Sequence, residues 1–141
     1  MRSWAAVAGG VFPLVLAAWA AVAADLTITV TGLRSDAGMV RVAVFDNASD
    51  FPRGEEVSGE VVKAAPEVTV AIDGLKPGRY AVAVHHDENG NGRMDSSLIG
   101  LPQEGYAFSN DAMVFLGPPP FSEASFDLPE EGRQITIQMD Y

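Results

Sequence analysis

Residues 79–87, RYAVAVHHD, alternate between two sets of side chains with a period of two. Such a period indicates a β-strand, because successive side chains of a strand point to opposite faces of the sheet. The two faces would carry Tyr80, Val82, Val84, His86 and, opposite them, Ala81, Ala83, His85. We therefore predict a strand that places the two adjacent histidines on different faces.

The same alternation recurs along the chain, with turn-forming Gly, Pro and Asp residues between the segments. It is present at residues 26–30, 40–44, 68–72, 126–128 and 135–141. No stretch has a sustained period of 3.6 residues, so helices that could cover a parallel sheet are not expected. The pattern predicts an all-β fold, an antiparallel β-sandwich of about seven strands, with the last segment paired in a sheet.

Residues 1–23 have the features of a secretory signal peptide. Arg2 precedes an apolar run over residues 4–22, and residues 21–23, Ala-Val-Ala, form a small-x-small cleavage pattern. The alternative is an uncleaved membrane anchor, because the run is nearly long enough to span a bilayer. We favour cleavage and predict a periplasmic or secreted protein, in which residues 24–141 form a single β-sandwich domain.

The composition excludes several classes of partner. The formal net charge is −10, with 19 Asp and Glu against 9 Lys and Arg. The cations are scattered and form no basic stripe, so we expect no nucleic-acid binding and no membrane binding after signal cleavage. The chain has no cysteine, so no disulfide supports the fold. The expected partner class is an unidentified protein or a small ligand.

The predicted strand at residues 79–87 runs into an acidic loop, HDENGNGRMD, at residues 86–95. Calcium takes about six to eight oxygen ligands, which a tight loop can supply from alternate residues and one backbone carbonyl. With Asp87 at position 1, the loop matches the calcium-loop template through position 9, including the glycine at position 6. The predicted calcium ligands in the loop are Asp87, Asn89, Asn91, the carbonyl of Arg93, and Asp95.

The match to the template fails at position 12, where Leu98 replaces the bidentate acid. We expect Glu104 to complete the ligand shell, with Asp111 or the Asn110 amide as alternatives. Two carboxylates and two amides in the loop predict weak calcium binding, with a Kd of roughly 10⁻⁴ to 10⁻³ M. No organic cofactor is predicted. The alternative to an ion site is a turn whose Asn and Asp side chains satisfy their own backbone.

The histidines give little support to a zinc site or to catalysis. His85 and His86 point to opposite faces of a strand, and a catalytic zinc generally needs three protein ligands. A hydrolase that uses His86 with Asp87 or Glu104 is the alternative to a non-catalytic protein, but the sequence contains no complete catalytic set. We predict that the protein is not an enzyme and that His86 is half-buried and hydrogen-bonded at the end of the sandwich.

The segment at residues 96–123 interrupts the strand pattern and is too long for an ordinary hairpin loop. Long loops in compact domains are commonly functional or pack as a lid. We predict that the segment crosses the sandwich surface and that a bound ion orders it for a ligand or partner. The candidate contact residues are His86, Tyr106, Phe108, Ser109 and Asn110.

The same region resembles a known family. The run YAVAVHHDENGNGRMDSSLIGLPQEGYAFSN, at residues 80–110, followed by GPPPFSEASFDL at residues 117–128, is similar to exported bacterial proteins of domain-of-unknown-function family 2141. The resemblance extends from residue 32 to residue 141. It implies a secreted or periplasmic β-sandwich, similar to immunoglobulin-like or prealbumin-like domains, with no assigned activity. The family-typical positions are His86, Asp87, Asn89, Asn91, Gly92, Asp95, Pro102, Glu104, Gly105, Tyr106, Phe108, Ser109 and Asn110, while Ala107 and Asp111 depart from the family pattern.

Overall fold

The computed structural model describes residues 9–16, 23–95, 103–114 and 116–141. Eight strands lie within these ranges. They are β1 (Ala24–Thr31), β2 (Met39–Phe45), β3 (Ser58–Lys63), β4 (Val68–Leu75), β5 (Gly78–Asp87), β6 (Gly105–Phe108), β7 (Phe126–Leu128) and β8 (Arg133–Gln138). Helix in the described ranges is limited to α1 (Phe121–Ala124) and a 3-10 turn at Ser109–Asp111. The predicted all-β class is therefore confirmed.

The strands form two sheets that enclose one core. The smaller sheet has the order β4-β1-β8, and the larger has the order β3-β2-β5-β6, with β7 also paired to β5. β1 is antiparallel to β4 and parallel to β8, whereas the strand pairs of the larger sheet are antiparallel. The predicted two-sheet sandwich is confirmed, with one parallel strand pair that was not predicted.

The core between the sheets is built from the alternating apolar residues. Ile28 of β1 lies between Val70 of β4 and Ile135 of β8, and Val42 of β2 lies opposite Val84 of β5. Buried residues of both sheets belong to one apolar cluster. Each fully buried Val, Leu or Ile side chain contributes about 1.5–3 kcal/mol, so this core can stabilise the fold without disulfides.

A second apolar layer covers part of the outer face of the larger sheet. The ring of Phe51, from the loop after β2, packs at 5.6 Å from Phe45 and 5.7 Å from Phe108. Phe121 of α1 lies 6.0 Å from the same ring, and Ala81 of β5 is buried beneath the layer. The layer ends before the last residues of β5, which carry polar side chains on this face.

Two strands and the path of the C-terminal segment differ from the sequence-based expectation. β3 was not predicted because it is a mostly exposed strand at the sheet edge, and its sequence lacks an apolar alternation. β6 was not predicted because it is short and lies within the supposed loop at residues 96–123. β8 ends at Gln138, and Asp140 then pairs with Tyr106 of β6. The last residues therefore pass from the smaller sheet to the larger one.

Most of the predicted signal peptide, residues 1–23, lies outside the described residues, so its cleavage remains a prediction. Residues 9–16 are exposed and have no regular secondary structure. Among the described residues, no helix combines the length and apolar character needed to cross a bilayer. Leu98 and Pro102, which were singled out in the sequence, also lie outside the described ranges.

Candidate metal site at the end of strand β5

Polar side chains collect on the outer face of the larger sheet where β5 ends. His85 and Asp87 are two residues apart on this strand, so both side chains point to the same face. On the neighbouring strand β6, Gly105 pairs with His86. Glu104, directly before β6, is thereby brought opposite the end of β5.

These three side chains bring possible metal ligands close together. Nε2 of His85 lies 2.6 Å from Oε2 of Glu104. One ligand atom from each of His85, Asp87 and Glu104 lies within 4.8 Å of the other two. The side chains of His85 and Glu104 are 17% and 6% exposed, so bulk water competes little with their contact.

Glu104 carries the least satisfied polar group of the site. Its Oε1 atom is buried and has no hydrogen-bond partner among the described residues. Burial raises the pKa of Glu104 to about 7, and the facing Asp95, which would accept a hydrogen bond from protonated Glu104, shifts it in the same direction. The negative charges of Asp87 and Glu88 add to this shift. A buried carboxylate in these surroundings is costly unless a proton or a cation neutralises it.

Asp87 begins the acidic loop and fixes its shape. Its Oδ1 accepts a hydrogen bond from the backbone N–H of Asn91 at 3.2 Å, and its Oδ2 accepts one from Gly92 at 2.7 Å. Gly90 and Gly92 have φ angles of 71° and 74°, a region that favours glycine. Each carboxylate oxygen has a further lone pair, so this loop shape is compatible with cation binding by Asp87.

The side chains of Asn89 and Asn91 point their amide nitrogens toward Asp95. Nδ2 of Asn91 lies 3.0 and 3.1 Å from the two Asp95 oxygens, and Nδ2 of Asn89 donates to one of them. Their amide oxygens accept the backbone N–H groups of Asn91 and Arg93. These are the contacts of a self-satisfied turn. Calcium coordination by the two amide oxygens would require both amide groups to rotate away from Asp95.

Asp95 connects the acidic loop to the segment before β6. The hydrogen bond from protonated Glu104, followed by those from Asn91 and Asn89, lowers the pKa of Asp95. The backbone N–H of Gln103 donates to the Asp95 carbonyl at 2.8 Å. The fold thus brings Glu104 close to the loop carboxylates of Asp87 and Asp95.

His86 does not belong to this group. It is 0% exposed on the opposite face of β5, with Nδ1 2.7 Å from the Tyr141 hydroxyl and Nε2 2.7 Å from the Ala37 carbonyl. The carbonyl can only accept, so Nε2 carries the proton and Nδ1 accepts from Tyr141. The predicted hydrogen-bonded His86 is confirmed, but it is fully buried rather than half-buried. Its predicted place on a ligand surface is wrong, and it is not positioned to act as a base beside Glu104.

The remaining residues of the predicted contact surface divide into buried and accessible ones. Phe108 is 8% exposed, and Ser109 is 0% exposed, with its Oγ accepting from the Val82 N–H at 2.9 Å. Their predicted place on a surface is wrong, because they fasten the following segment to the sheet. Tyr106 is half-buried and Asn110 is exposed, although the Asn110 amide donates to two backbone carbonyls near α1.

The other acids near the site have partners of their own. Asp111, an alternative ligand in the sequence analysis, accepts a hydrogen bond from the Gln138 N–H at 3.0 Å. Glu88 forms an ion pair with Arg34 and accepts a hydrogen bond from Ser35 at 3.2 Å. Glu104 is therefore the residue after the acidic loop that reaches the site.

Sequence reasoning missed His85 as a member of the group. The alternation that separates His85 from His86 also places it on the same face as Asp87, so half of this arrangement was visible in the sequence. The position of Glu104 across from both was not visible, because it depends on the pairing of β5 with β6.

Comparison with known proteins identifies a family without an activity. A family model described as an uncharacterized protein conserved in bacteria matches residues 28–136. No curated protein and no solved structure matches the chain. The matched range contains the acidic loop and Glu104. Because the family description gives no activity, the function is inferred from the chemistry of these residues.

Proposed function

We propose that this chain, which belongs to domain-of-unknown-function family 2141, is a non-catalytic β-sandwich that binds a divalent cation. The family description names no activity, so the proposal depends on the described site. The predicted ion is calcium. Its proposed ligands are Asp87, Asn89, Asn91, the Arg93 carbonyl, Asp95 and Glu104.

The buried Oε1 atom of Glu104 is the observation that carries this proposal. It has no hydrogen-bond partner among the described residues, although Glu104 is only 5% exposed. Buried polar atoms are nearly always paired, and an unpaired one often indicates a bound ion or water. A cation beside Oε1 would supply the missing partner and neutralise the carboxylate.

The charges around Glu104 favour a cation over a neutral ligand. Asp87 and Asp95 lie on the loop side, and both raise the pKa of Glu104. Arg34, a cation near the loop, is already paired with Glu88. Carboxylate oxygens in this number suit a hard divalent cation such as calcium, whose positive charge would reduce their mutual repulsion.

The proposed role of the ion is to clamp the acidic loop to β6. Asp87 lies at the end of β5, Asp95 closes the loop, and Glu104 begins the path into β6. An ion bound to all three would tie these elements together and order the start of β6, including the half-buried Tyr106. We propose this region as the surface for a protein partner or small ligand. The predicted export of the chain agrees with the weak calcium affinity expected outside the cytoplasm.

A purely structural turn is the second candidate. Asn89 and Asn91 satisfy the loop backbone and Asp95 without an ion, through the hydrogen bonds described above. In this case, Glu104 would pair with His85 and, when protonated, with Asp95. The protein would then be a scaffold whose acidic loop has no ligand.

Thermal unfolding with and without calcium separates the two candidates. With the expected Kd of roughly 10⁻⁴ to 10⁻³ M, calcium at about 10 mM is present at roughly 10 to 100 times its Kd and stabilises the folded state by about 1.4–2.7 kcal/mol. We therefore expect millimolar calcium, compared with chelator, to raise the Tm of the purified protein by several degrees. The combined substitutions Asp87→Asn and Asp95→Asn should abolish the rise, and Glu104→Gln should reduce it.

The exposed Glu130, outside the site, provides the matched control. Glu130→Gln removes the same charge as Glu104→Gln, so its response to calcium should equal that of the unsubstituted protein. An unsubstituted protein whose Tm does not change with millimolar calcium or magnesium would contradict calcium as the ion, and the absence of a Zn²⁺ response as well would support the structural turn.

A further inference from the structure

We propose that His85 is a ligand of this site, and that His85, Asp87 and Glu104 together bind a divalent transition cation of the Zn²⁺ class more tightly than calcium. This inference rests on the proposed function, because it uses two of the three proposed carboxylate ligands, Asp87 and Glu104. It adds a nitrogen ligand that the oxygen-only calcium set does not contain.

The distances among the three side chains suit a small cation. Zinc binds His nitrogen and carboxylate oxygen at about 2.0–2.2 Å, which places ligand atoms of a tetrahedral site roughly 3–4 Å apart. The three ligand atoms of His85, Asp87 and Glu104 already lie within 4.8 Å of one another. Side-chain movements on the order of 1 Å would therefore bring them to one ion.

The backbone holds two of the ligands in place. His85 and Asp87 lie on β5, which is paired with β2 on one side and β6 on the other. His85 is opposite Arg41 of β2 and Tyr106 of β6 in this register. Ligands on a central strand are positioned more precisely than ligands on a free loop, so ion binding would require little ordering of His85.

The ligand types distinguish this set from a calcium loop. Calcium favours oxygen ligands, whereas zinc and related dications readily accept an imidazole nitrogen. The Asn89 and Asn91 side chains are engaged with Asp95 and the loop backbone, and the zinc set does not need them. Three protein ligands would leave the fourth position of a tetrahedral site for water.

The contact between His85 and Glu104 leaves one polar atom of Glu104 without a hydrogen-bond partner in the described part of the chain. It uses Nε2 of His85 and Oε2 of Glu104, while Oε1 of Glu104 remains without a partner. An ion between the two side chains would replace this single hydrogen bond with two metal–ligand bonds. Its positive charge would also reduce the repulsion between the negative charges of Glu104 and Asp87.

Calorimetric titrations of the chelator-treated protein with Zn²⁺ and with Ca²⁺ test the inference. The unsubstituted protein should bind Zn²⁺ more tightly than Ca²⁺. His85→Gln should weaken Zn²⁺ binding on the order of tenfold or more, since one of three ligands is lost, and should leave the calcium response unchanged. Asn91→Ser should weaken calcium binding and leave Zn²⁺ binding unchanged, because Asn91 is a proposed ligand of calcium only.

Binding of Co²⁺ provides a spectroscopic measurement that does not depend on stability. Visible absorption of bound Co²⁺ reports its ligands, so the spectrum should change in His85→Gln and remain unchanged in Asn91→Ser. Circular dichroism of both variants verifies that they are folded. If His85→Gln does not fold, Glu104→Gln should still lower the affinity for Zn²⁺ in the calorimetric titration.

The outcomes separate this inference from the proposed function. Calcium binding with Zn²⁺ no tighter, or Zn²⁺ binding unchanged by His85→Gln, would overturn the inference and leave the cation-binding function intact. Zn²⁺ binding that requires His85, without any calcium response, would support the inference and exclude calcium as the ion. Absence of binding by both ions would overturn both proposals.

Discussion

The Tyr141 hydroxyl lies 2.7 Å from Nδ1 of the buried His86 and joins the end of the chain to the strand that carries the candidate site. The same hydroxyl accepts the backbone N–H of Arg34 at 3.1 Å, and the Arg34 guanidinium lies 4.4 Å from the Tyr141 ring. Arg34 also pairs with Glu88, the residue after Asp87. Tyr141 therefore supports the backbone at the start of the acidic loop from the core side.

Tyr141→Phe should lower the free energy of unfolding by about 1–3 kcal/mol, because it leaves the buried Nδ1 of His86 without a donor. Urea unfolding measures this change. Tyr106→Phe is the matched control, since it deletes the same atom from a tyrosine whose hydroxyl makes no hydrogen bond among the described residues, and it should have a smaller effect. Equal losses in the two variants would contradict a specific role for the Tyr141 hydroxyl.

Gly38→Ala should destabilise the fold and weaken cation binding together. Gly38 has a φ of 72°, and a Cβ atom there would lie 2.0 Å from the carbonyl oxygen of Asp87, so the backbone of the first loop ligand must move. Gly74→Ala is the control, because Gly74 has a φ of 77° but no atom within 4 Å of an added Cβ. Thermal unfolding with and without calcium should show a smaller loss and a normal ion response in Gly74→Ala. A normal response in Gly38→Ala would show that the site tolerates this displacement.

The stability of the ion-free protein should carry a pH dependence that comes from Glu104. Burial raises the pKa of Glu104 from 4.5 to about 7, so the folded state binds more protons than the unfolded state between these values. This contribution to stability is complete below about pH 4.5 and is lost as the pH rises toward 7. Burial also lowers the pKa of the neighbouring His85 below its usual value of 6.5. In the pH range just below 6.5, His85 therefore makes stability increase with pH, which is opposite to the effect of Glu104.

The difference between the unsubstituted protein and Glu104→Gln isolates the Glu104 contribution. Urea unfolding in chelator at several pH values should show that the variant lacks the loss of stability between about pH 4.5 and 7. The variant should therefore gain stability relative to the unsubstituted protein as the pH rises through this window. Parallel profiles of stability against pH for the two proteins would contradict a raised pKa of Glu104 in the folded state.

Deletion of residues 135–141 should leave the protein unfolded or aggregated. It removes most of β8, the parallel neighbour of β1, together with the buried Ile137 and Met139. It also exposes the edge of β1 to other chains. Far-UV circular dichroism and size-exclusion chromatography measure the result. Deletion of only Asp140 and Tyr141 keeps β8 and should give a folded but less stable protein, and a soluble, cooperatively folded longer deletion would contradict the prediction.

The sequence was most informative where one face of a strand is buried and the other is not. β1, β2, β4 and β5 follow the predicted alternation because the apolar face of each packs into the core. β3 has no such contrast, since most of its side chains are exposed, and its pairing with β2 was invisible in the sequence. The parallel pairing of β8 with β1 was also invisible, because strand direction depends on the path of the intervening chain.

The sequence by itself determined the acidic loop, the separation of His85 from His86, and the choice of Glu104 as a residue that could join the loop. These follow from residue types and from the period of two, which are local properties of the chain. Only the tertiary structure decided that Glu104 lies 2.6 Å from His85 and that His86 is closed off by Tyr141. Both contacts join residues that are distant in sequence, and they arise because β6 pairs with β5 while the last residues cross from one sheet to the other.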